Sequence, residues 1–123
     1  LAEYGYIDDA YNSNPAGFRA ALDVLGLFEG QRVLVTPGMV ELGQRQEELN
    51  RELGGYAASR CDYAVLVGEK QAPPLREGLT AAGFPTDRIF VAHTLQEGLN
   101  WVNALPFDRL RTVLLENDLP DNF

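Results

Sequence analysis

The sequence has few of the residues and runs that mark several common classes of protein. It contains a single cysteine, Cys61, so no internal disulfide can form, and this is compatible with a cytosolic protein. No apolar run approaches the ~20 residues of a membrane-spanning helix, and no basic and apolar leader segment opens the chain. These absences predict a cytoplasmic domain that does not interact with a membrane.

Positive charge is also scarce. The 10 Lys and Arg residues stand against 18 Asp and Glu, the net charge is −8, and Lys70 alone is a lysine. Nucleic acid is not an expected partner, because a sequence-independent grip on it needs clustered cations and the arginines here are scattered. The sequence also lacks a Gly-x-x-x-x-Gly-Lys-Ser/Thr phosphate loop and a Gly-x-Gly-x-x-Gly dinucleotide motif. If the protein uses ATP, the groups that hold the phosphates must come from elsewhere.

Strand and helix patterns alternate along the chain. Short apolar, β-branched runs predict strands at residues 3–9, 32–36, 62–68, 88–92 and 112–115. Apolar residues at i, i+3 and i+4 predict helices at 15–27, at 44–60, from 73 or 74 to 83, and at 94–105, the last with Thr94 as its N-cap. This order predicts one α/β domain, with a Rossmann-like, doubly wound, mostly parallel sheet of five or six strands and helices on both faces. We expect Gly54 and Gly55 to let the second helix pack closely on the sheet.

The turn after the first strand carries polar side chains with a chemical use. Asp8 and Asp9 end that strand, so their carboxylates should emerge at the carboxyl edge, where open α/β sheets place their ligands. Asn14 is a good N-cap and Pro15 suits the first helical position, so the free N–H groups of the helix should face the same edge. Such an edge suits a phosphate, a ribose or a metal-bound anion. A well-capped structural turn explains the same residues equally well.

Two segments resemble a known family. Residues 8–15, Asp-Asp-Ala-Tyr-Asn-Ser-Asn-Pro, resemble the opening motif of the C-terminal domain of the Mur ligases, the ATP-dependent amide-bond-forming enzymes of peptidoglycan precursor synthesis. Residues 38–43, Gly-Met-Val-Glu-Leu-Gly, are similar to the Gly-Asp-Met-x-Glu-Leu-Gly segment of the branch that adds D-alanyl-D-alanine to UDP-MurNAc-tripeptide. With the order of strands and helices, the resemblance covers nearly the whole chain.

The resemblance implies a nucleotide side and a substrate side for this domain. Its nucleotide-binding candidates are Asp9, Tyr11, Asn12, Ser13 and Asn14. Its substrate-binding candidates, next to the incoming amino acid or dipeptide, are Gly38, Met39 and Glu41. Structural capping remains an equal alternative for Asn14, and a solvated turn carboxylate for Glu41. No catalytic residue and no metal ligand is expected in this domain alone.

The resemblance also implies the cofactors and partners. ATP and Mg²⁺ are bound mainly by a central domain of the full-length family members, which phosphorylate an acceptor carboxylate of a UDP-MurNAc-peptide and let an amine attack the acyl phosphate. Residues 1–123 would then be the C-terminal domain that closes on that central domain, and the central and N-terminal domains would lie outside this chain. A start only a few residues before the first strand, without methionine, suits such a fragment. Alone, the domain is expected to be inactive.

The sequence departs from that branch at two places, which leaves the added amine open. Pro37-Gly38 stands where the branch carries Gly-Asp, and an acidic segment that begins Glu116-Asn117-Asp118 stands where it carries a basic Lys-Gly-Ser-Arg-like segment. A stand-alone, non-catalytic α/β binding or interaction module is the main alternative. A small flavodoxin-like phosphate binder is less favoured, because no phosphate loop follows the first strand. We expect structural roles for Cys61 and His93.

Overall fold

The computed structural model describes residues 3–9, 14–106 and 110–116. Its strands are β1 (Glu3–Asp9), β2 (Gln31–Thr36), β3 (Tyr63–Val67), β4 (Ile89–Ala92) and β5 (Leu110–Glu116). Its helices are α1 (Pro15–Gly26), α2 (Gln46–Ala57), α3 (Ala72–Ala81) and α4 (Leu95–Ala104), with 3₁₀ turns at Gly43–Arg45 and Thr86–Arg88. Strands and helices alternate as predicted, with ends that differ from the predicted ones by at most three residues.

The five strands form one parallel sheet in the order β1-β5-β2-β3-β4. The last strand therefore lies between the first two. Asp9 of β1 is the register partner of Glu116 in β5, and Val35 of β2 is the register partner of Leu115. Because all strands run the same way, their carboxyl ends lie at one edge of the sheet, where the connecting loops that follow them also begin.

Helices cover both faces of the sheet, as predicted, but unequally. The helices α1, α2 and α3 share one apolar core with the sheet, which includes Phe18, Leu53 and Leu75. The other face is covered by α4, whose Val102 is fully buried and whose Trp101 ring stacks on Phe90 of β4 at 5.0 Å. The chain crosses the sheet in one direction from β1 to β4 and returns to β5, so right-handed crossovers place α4 on the opposite face.

The buried face of α2 differs from the predicted one. The apolar pattern predicted a stripe of Leu49, Leu53, Tyr56 and Ala57. The buried residues are Asn50, Leu53, Gly54 and Ala57, whereas Leu49 and Tyr56 are half-buried. The helix is therefore rotated so that a polar side chain, Asn50, enters the core.

The glycines of α2 serve a contact between helices. A methyl group at Gly54 would overlap the backbone carbonyl of Leu75 in α3, and one at Gly78 would overlap that of Arg51 in α2. The two helices therefore touch backbone to backbone. The expectation that these glycines allow close packing on the sheet was wrong, because the close neighbour is α3.

Two further expectations are met by side chains that the structure describes. Thr94 is the N-cap of α4, and its hydroxyl accepts a hydrogen bond from the Glu97 N–H at 3.1 Å. Cys61 is buried, as expected for a structural cysteine. Within the described ranges, no helix is long and apolar enough to cross a membrane.

Candidate functional site

Both family-like segments reach the carboxyl edge of the sheet. Asp9 is the last residue of β1, and Thr36, the last residue of β2, leads into residues 38–43, called here the 38–43 loop. Only β5 separates these two strands. Since neighbouring strands lie about 5 Å apart, the two segments leave the sheet at points about 10 Å apart. A ligand of the size of a nucleotide or dipeptide spans that distance.

The first segment is described only in part. Asp9 is placed by its backbone, and Tyr11, Asn12 and Ser13 lie outside the described residues, so their nucleotide-binding role stays a prediction. Asn14 has an extended backbone (φ −130°, ψ 155°), and its side-chain oxygen accepts a hydrogen bond from the Gly17 N–H at 2.7 Å. The capping role of Asn14 is thus confirmed, and a nucleotide contact by Asn14 stays a prediction.

The 38–43 loop turns through three residues with left-handed backbone. These are Gly38 (φ 82°), Glu41 (φ 62°) and Gly43 (φ 69°). Glycine adopts this conformation freely, but Glu41 pays roughly 1–2 kcal/mol for it. Glu41 and Val40 are exposed at the tip of the loop, Val40 to 51%. Strained, exposed positions of this kind cluster at ligand sites, which agrees with the predicted substrate role of Glu41.

Met39 is the residue that anchors the loop. Its side chain is fully buried in the core below α2 and α3, so it does not face the sheet edge. Its backbone N–H donates to Asn50 Oδ1 at 2.8 Å, and its carbonyl accepts from Asn50 Nδ2 at 2.9 Å. The Met39 side chain is therefore not exposed to a ligand at the edge, and a substrate-side role for Met39 stays a prediction. Asn50 was missed because a polar residue was not counted in the buried stripe of α2.

Two cavities of about 500 Å³ each meet at Lys70, in the turn after β3. One lies between this turn and the 38–43 loop, and its lining includes Gly43, Gln46 and Gln71. In the parts of the chain that the structure describes, Lys70 has no hydrogen bond or ion pair. Arg45, by contrast, is held by Glu48 and Glu52 at 3.1 and 3.6 Å. Lys70 is thus available to an anionic ligand, which sequence reasoning did not anticipate.

The second cavity is lined by Gly68, Glu69, Lys70 and His93. His93 is exposed, and its Nδ1 lies 3.4 Å from Glu69 Oε1. His93 therefore lies at the protein surface beside Lys70, and its expected structural role stays a prediction. The loop after β3 leads to α3 on one face and the loop after β4 leads to α4 on the other, and open α/β sheets bind ligands where neighbouring connections diverge in this way.

Glu116 does not belong to an exposed acidic loop. It is the last residue of β5, next to Asp9 in the register, and its side chain is fully buried. The next two residues of the expected acidic segment, Asn117 and Asp118, lie outside the described residues. The first acidic replacement in this segment is therefore a buried group at the sheet edge.

The described part of the edge is suited to binding and positioning. Among the residues placed by the structure, no group of three or more His, Cys, Asp or Glu side chains could hold a metal ion. The edge instead offers the Lys70 ammonium, the exposed Glu41 carboxylate and the loops around two cavities. These groups can orient a small zwitterionic or anionic molecule.

Comparisons with known proteins agree with this geometry. Residues 2–111 match the family described as Mur ligase, glutamate ligase domain. The chain is 38% identical over 65 residues to UDP-N-acetylmuramoyl-tripeptide--D-alanyl-D-alanine ligase of Escherichia coli, which is 52% of this chain and 14% of that protein. It is 40% identical over 50 residues to the enzyme of the same name from Haemophilus influenzae, which is 41% of this chain and 11% of that protein.

Solved structures give the same result over a longer stretch. MurF from Acinetobacter baumannii superimposes with a TM-score of 0.75 and 27% identity, over 96% of this chain and 26% of that one. MurF ligase from Thermotoga maritima, in complex with ADP, has a TM-score of 0.66 at 20% identity, over 93% of this chain and 25% of that one, which is a likeness of fold. The chain therefore spans about a quarter of the solved enzymes and less of the curated relatives. It belongs to the Mur ligase family, as the glutamate ligase domain.

Proposed function

We propose that this chain is the C-terminal domain of an ATP-dependent ligase that joins D-alanyl-D-alanine, or a related amine, to a UDP-MurNAc-peptide. The observation that carries the proposal is the arrival of both family-like segments at one sheet edge, with only β5 between them. A nucleotide on the β1 side and an amine on the β2 side would then be close enough for one acyl group to pass between them. The similarity to the D-alanyl-D-alanine ligases supports the choice of amine.

In this proposal the domain positions reactants. ATP and Mg²⁺, held mainly by a central domain of the longer polypeptide, supply the phosphoryl group that activates the acceptor carboxylate. This chain contributes Asp9 and Asn12 on the nucleotide side and the 38–43 loop on the amine side. Glu41 is placed to meet the ammonium end of the amine, and Lys70 to meet an anionic end. Positioning of this kind lowers the barrier by holding the reacting groups together. The place of action is the cytoplasm, where ATP is available.

The proposal is tested in the full-length polypeptide that contains this domain, by measuring phosphate release with ATP, UDP-MurNAc-tripeptide and D-alanyl-D-alanine. We expect release to require all three. Asp9→Ala should lower kcat by about tenfold or more, because a carboxylate that orients bound nucleotide acts mainly on turnover. The control is Asn103→Ala, an exposed position of α4 on the other face, which should leave kcat unchanged. Circular dichroism should give the same fold for all three proteins.

Two results would count against the proposal. Unchanged kinetics in Asp9→Ala would remove the nucleotide-side assignment. A native polypeptide no longer than this chain would remove the ATP site altogether, and the non-catalytic binding module would then account for the fold. The intact mass of the native protein, detected with an antibody to this domain, separates the two functions.

A further inference from the structure

The side chain of Asn50 holds the 38–43 loop in place from inside the core. It is fully buried, and its amide pairs with both polar backbone groups of Met39, at 2.8 and 2.9 Å. In a β-sheet, a neighbouring strand makes the same two hydrogen bonds, one to the N–H and one to the carbonyl of a single residue. The loop leaves the sheet after β2, so this pairing replaces the ladder that ends at Thr36.

Asn50 also contacts the loop after β3, which borders the cavity on the side opposite the 38–43 loop. Its Nδ2 donates to the Gln46 carbonyl at 2.9 Å and lies 3.3 Å from Gln71 Oε1. An amide nitrogen has two hydrogens for these acceptors and Met39, so the longest contact, to Gln71, is the shared and weakest one. Gln71 is the N-cap residue of α3 and lines the cavity. One buried amide thus joins the loops after β2 and β3.

Gly38 makes this junction possible. A methyl group there would lie 2.6 Å from Cβ of Gln71 and 3.0 Å from Oδ1 of Asn50, both too close. Beyond Met39, the exposed Val40 and Glu41 have little packing of their own. The place of the loop tip therefore depends on how firmly Met39 is held.

We propose that Asn50 is a positioning residue for the amine substrate: it holds Met39 so that Val40 and Glu41 stand at a fixed place beside the cavity. The inference rests on the proposed function and names the residue on which its amine side depends. Because a preformed loop binds without first being ordered, loss of Asn50 weakens amine binding while nucleotide binding on the β1 side is kept. Asn50 contacts the loop and not the substrate.

The kinetic test compares Asn50→Ala, Asn50→Asp and Val102→Ala in the full-length polypeptide. Asn50→Asp has the same shape but no donor for the Met39 carbonyl, and Val102→Ala weakens the core on the opposite face. In both Asn50 variants we expect the KM for D-alanyl-D-alanine to rise by about tenfold or more and the KM for ATP to stay within about twofold, a split that a general loss of stability does not produce. The inference is overturned if both KM values rise together, or if Val102→Ala has the same effect on the amine.

A second readout does not depend on activity. Hydrogen exchange of the Met39, Val40 and Glu41 amides, measured in the same proteins, should become faster in Asn50→Ala than in Val102→Ala by about tenfold or more, since the Met39 N–H loses its acceptor. Unchanged exchange at Met39 overturns the inference whatever the kinetics show. If the wild-type enzyme ligates no amine, the proposed function fails and the amine role of Asn50 fails with it, whereas faster exchange would still show that Asn50 holds the loop.

Discussion

Cys61 shows how strongly burial changes the chemistry of a single residue. It lies between α2 and β3, is 4% exposed, and its thiol donates to the Ala57 carbonyl at 3.4 Å. Burial raises the pKa of the Cys61 thiol to about 12, and the nearby Asp62 carboxylate acts in the same direction, while Arg32 opposes them. The thiolate is the reactive form of cysteine, so the native protein holds this residue in its inert form.

We therefore expect Cys61 to resist thiol reagents as long as the chain is folded. At pH 8 a thiol with a pKa of about 12 is ionised to roughly one part in ten thousand. The measurement is the rate of labelling with an aromatic disulfide reagent, which has one possible target because the chain has one cysteine. Labelling should be complete in concentrated guanidinium chloride and otherwise limited by the rate of unfolding. Rapid labelling in native buffer would contradict the burial of Cys61.

Local roles were predictable at the residue scale, and roles that depend on distant contacts were not. The N-caps Asn14 and Thr94 act within one helical turn, and their residue types and spacing were sufficient. Asn50 depends on Met39, eleven residues away, and on Gln71, twenty-one residues away. The contact of His93 with Glu69, twenty-four residues away, was not predictable for the same reason.

At the scale of the element, α2 and α3 form the closest contact between helices in the described part of the chain. Gly54 of α2 faces the Leu75 carbonyl, and Gly78 of α3 faces the Arg51 carbonyl. Helices that lack side chains at their crossing approach within backbone contact. This contact places the start of α3, with Gln71, against the 38–43 loop, so the shape of the cavity depends on it.

Gly78→Ala should destabilise the domain, although alanine favours a helix. The new methyl group would overlap the Arg51 carbonyl, and overpacking of this kind costs about 1–3 kcal/mol. The matched control is Gly55→Ala, where the nearest atom outside α2 is the Gly78 carbonyl oxygen at 3.7 Å, an ordinary contact. That variant should be neutral or more stable by up to about 1 kcal/mol, from helix propensity. Urea denaturation measures the free energy of unfolding of both variants. Equal free energies would show that α2 and α3 are too far apart for backbone contact at Gly78.

The order of the elements could be predicted because each strand and helix carries its own periodicity. The strand order could not, since the position of β5 between β1 and β2 depends on which apolar faces pack together. The face of α2 was predicted wrongly for a related reason. Its buried polar residue and its glycine are explained by partners in α3 and the 38–43 loop, which are distant in sequence.

At the scale of the whole molecule, the excess of acidic residues sets the response to pH. The net charge is −8 at neutral pH and the isoelectric point is about 4.5, so mild acid first relieves repulsion. The ion pair between Asp62 and Arg32 acts in the opposite direction, because acid weakens it. Asp62, which precedes β3, accepts from the Arg32 backbone N–H at 2.9 Å and from its guanidinium nitrogens at 3.2 Å, and so ties the starts of β2 and β3 together.

We expect the contribution of Asp62 to stability to disappear in acid. Burial alone would raise the pKa of Asp62, but the hydrogen bonds from Arg32 outweigh it, so the pKa lies below its ordinary value of 3.8. A carboxyl whose pKa is lowered by folding stabilises the native state above the unfolded pKa, and this stabilisation is lost as the pH falls through the folded pKa.

Urea denaturation of the wild type and Asp62→Asn should therefore give different free energies of unfolding at pH 6, with the wild type more stable. The difference should shrink below about pH 4, where the unfolded carboxyl takes up its proton. Asp87→Asn, at an exposed position outside any ion pair among the described residues, is the control for the loss of one negative charge, and its free energy of unfolding at pH 6 should be close to that of the wild type. A gap between wild type and Asp62→Asn that stays constant from pH 6 to pH 3 would show that Asp62 acts through its backbone hydrogen bond and not through its charge.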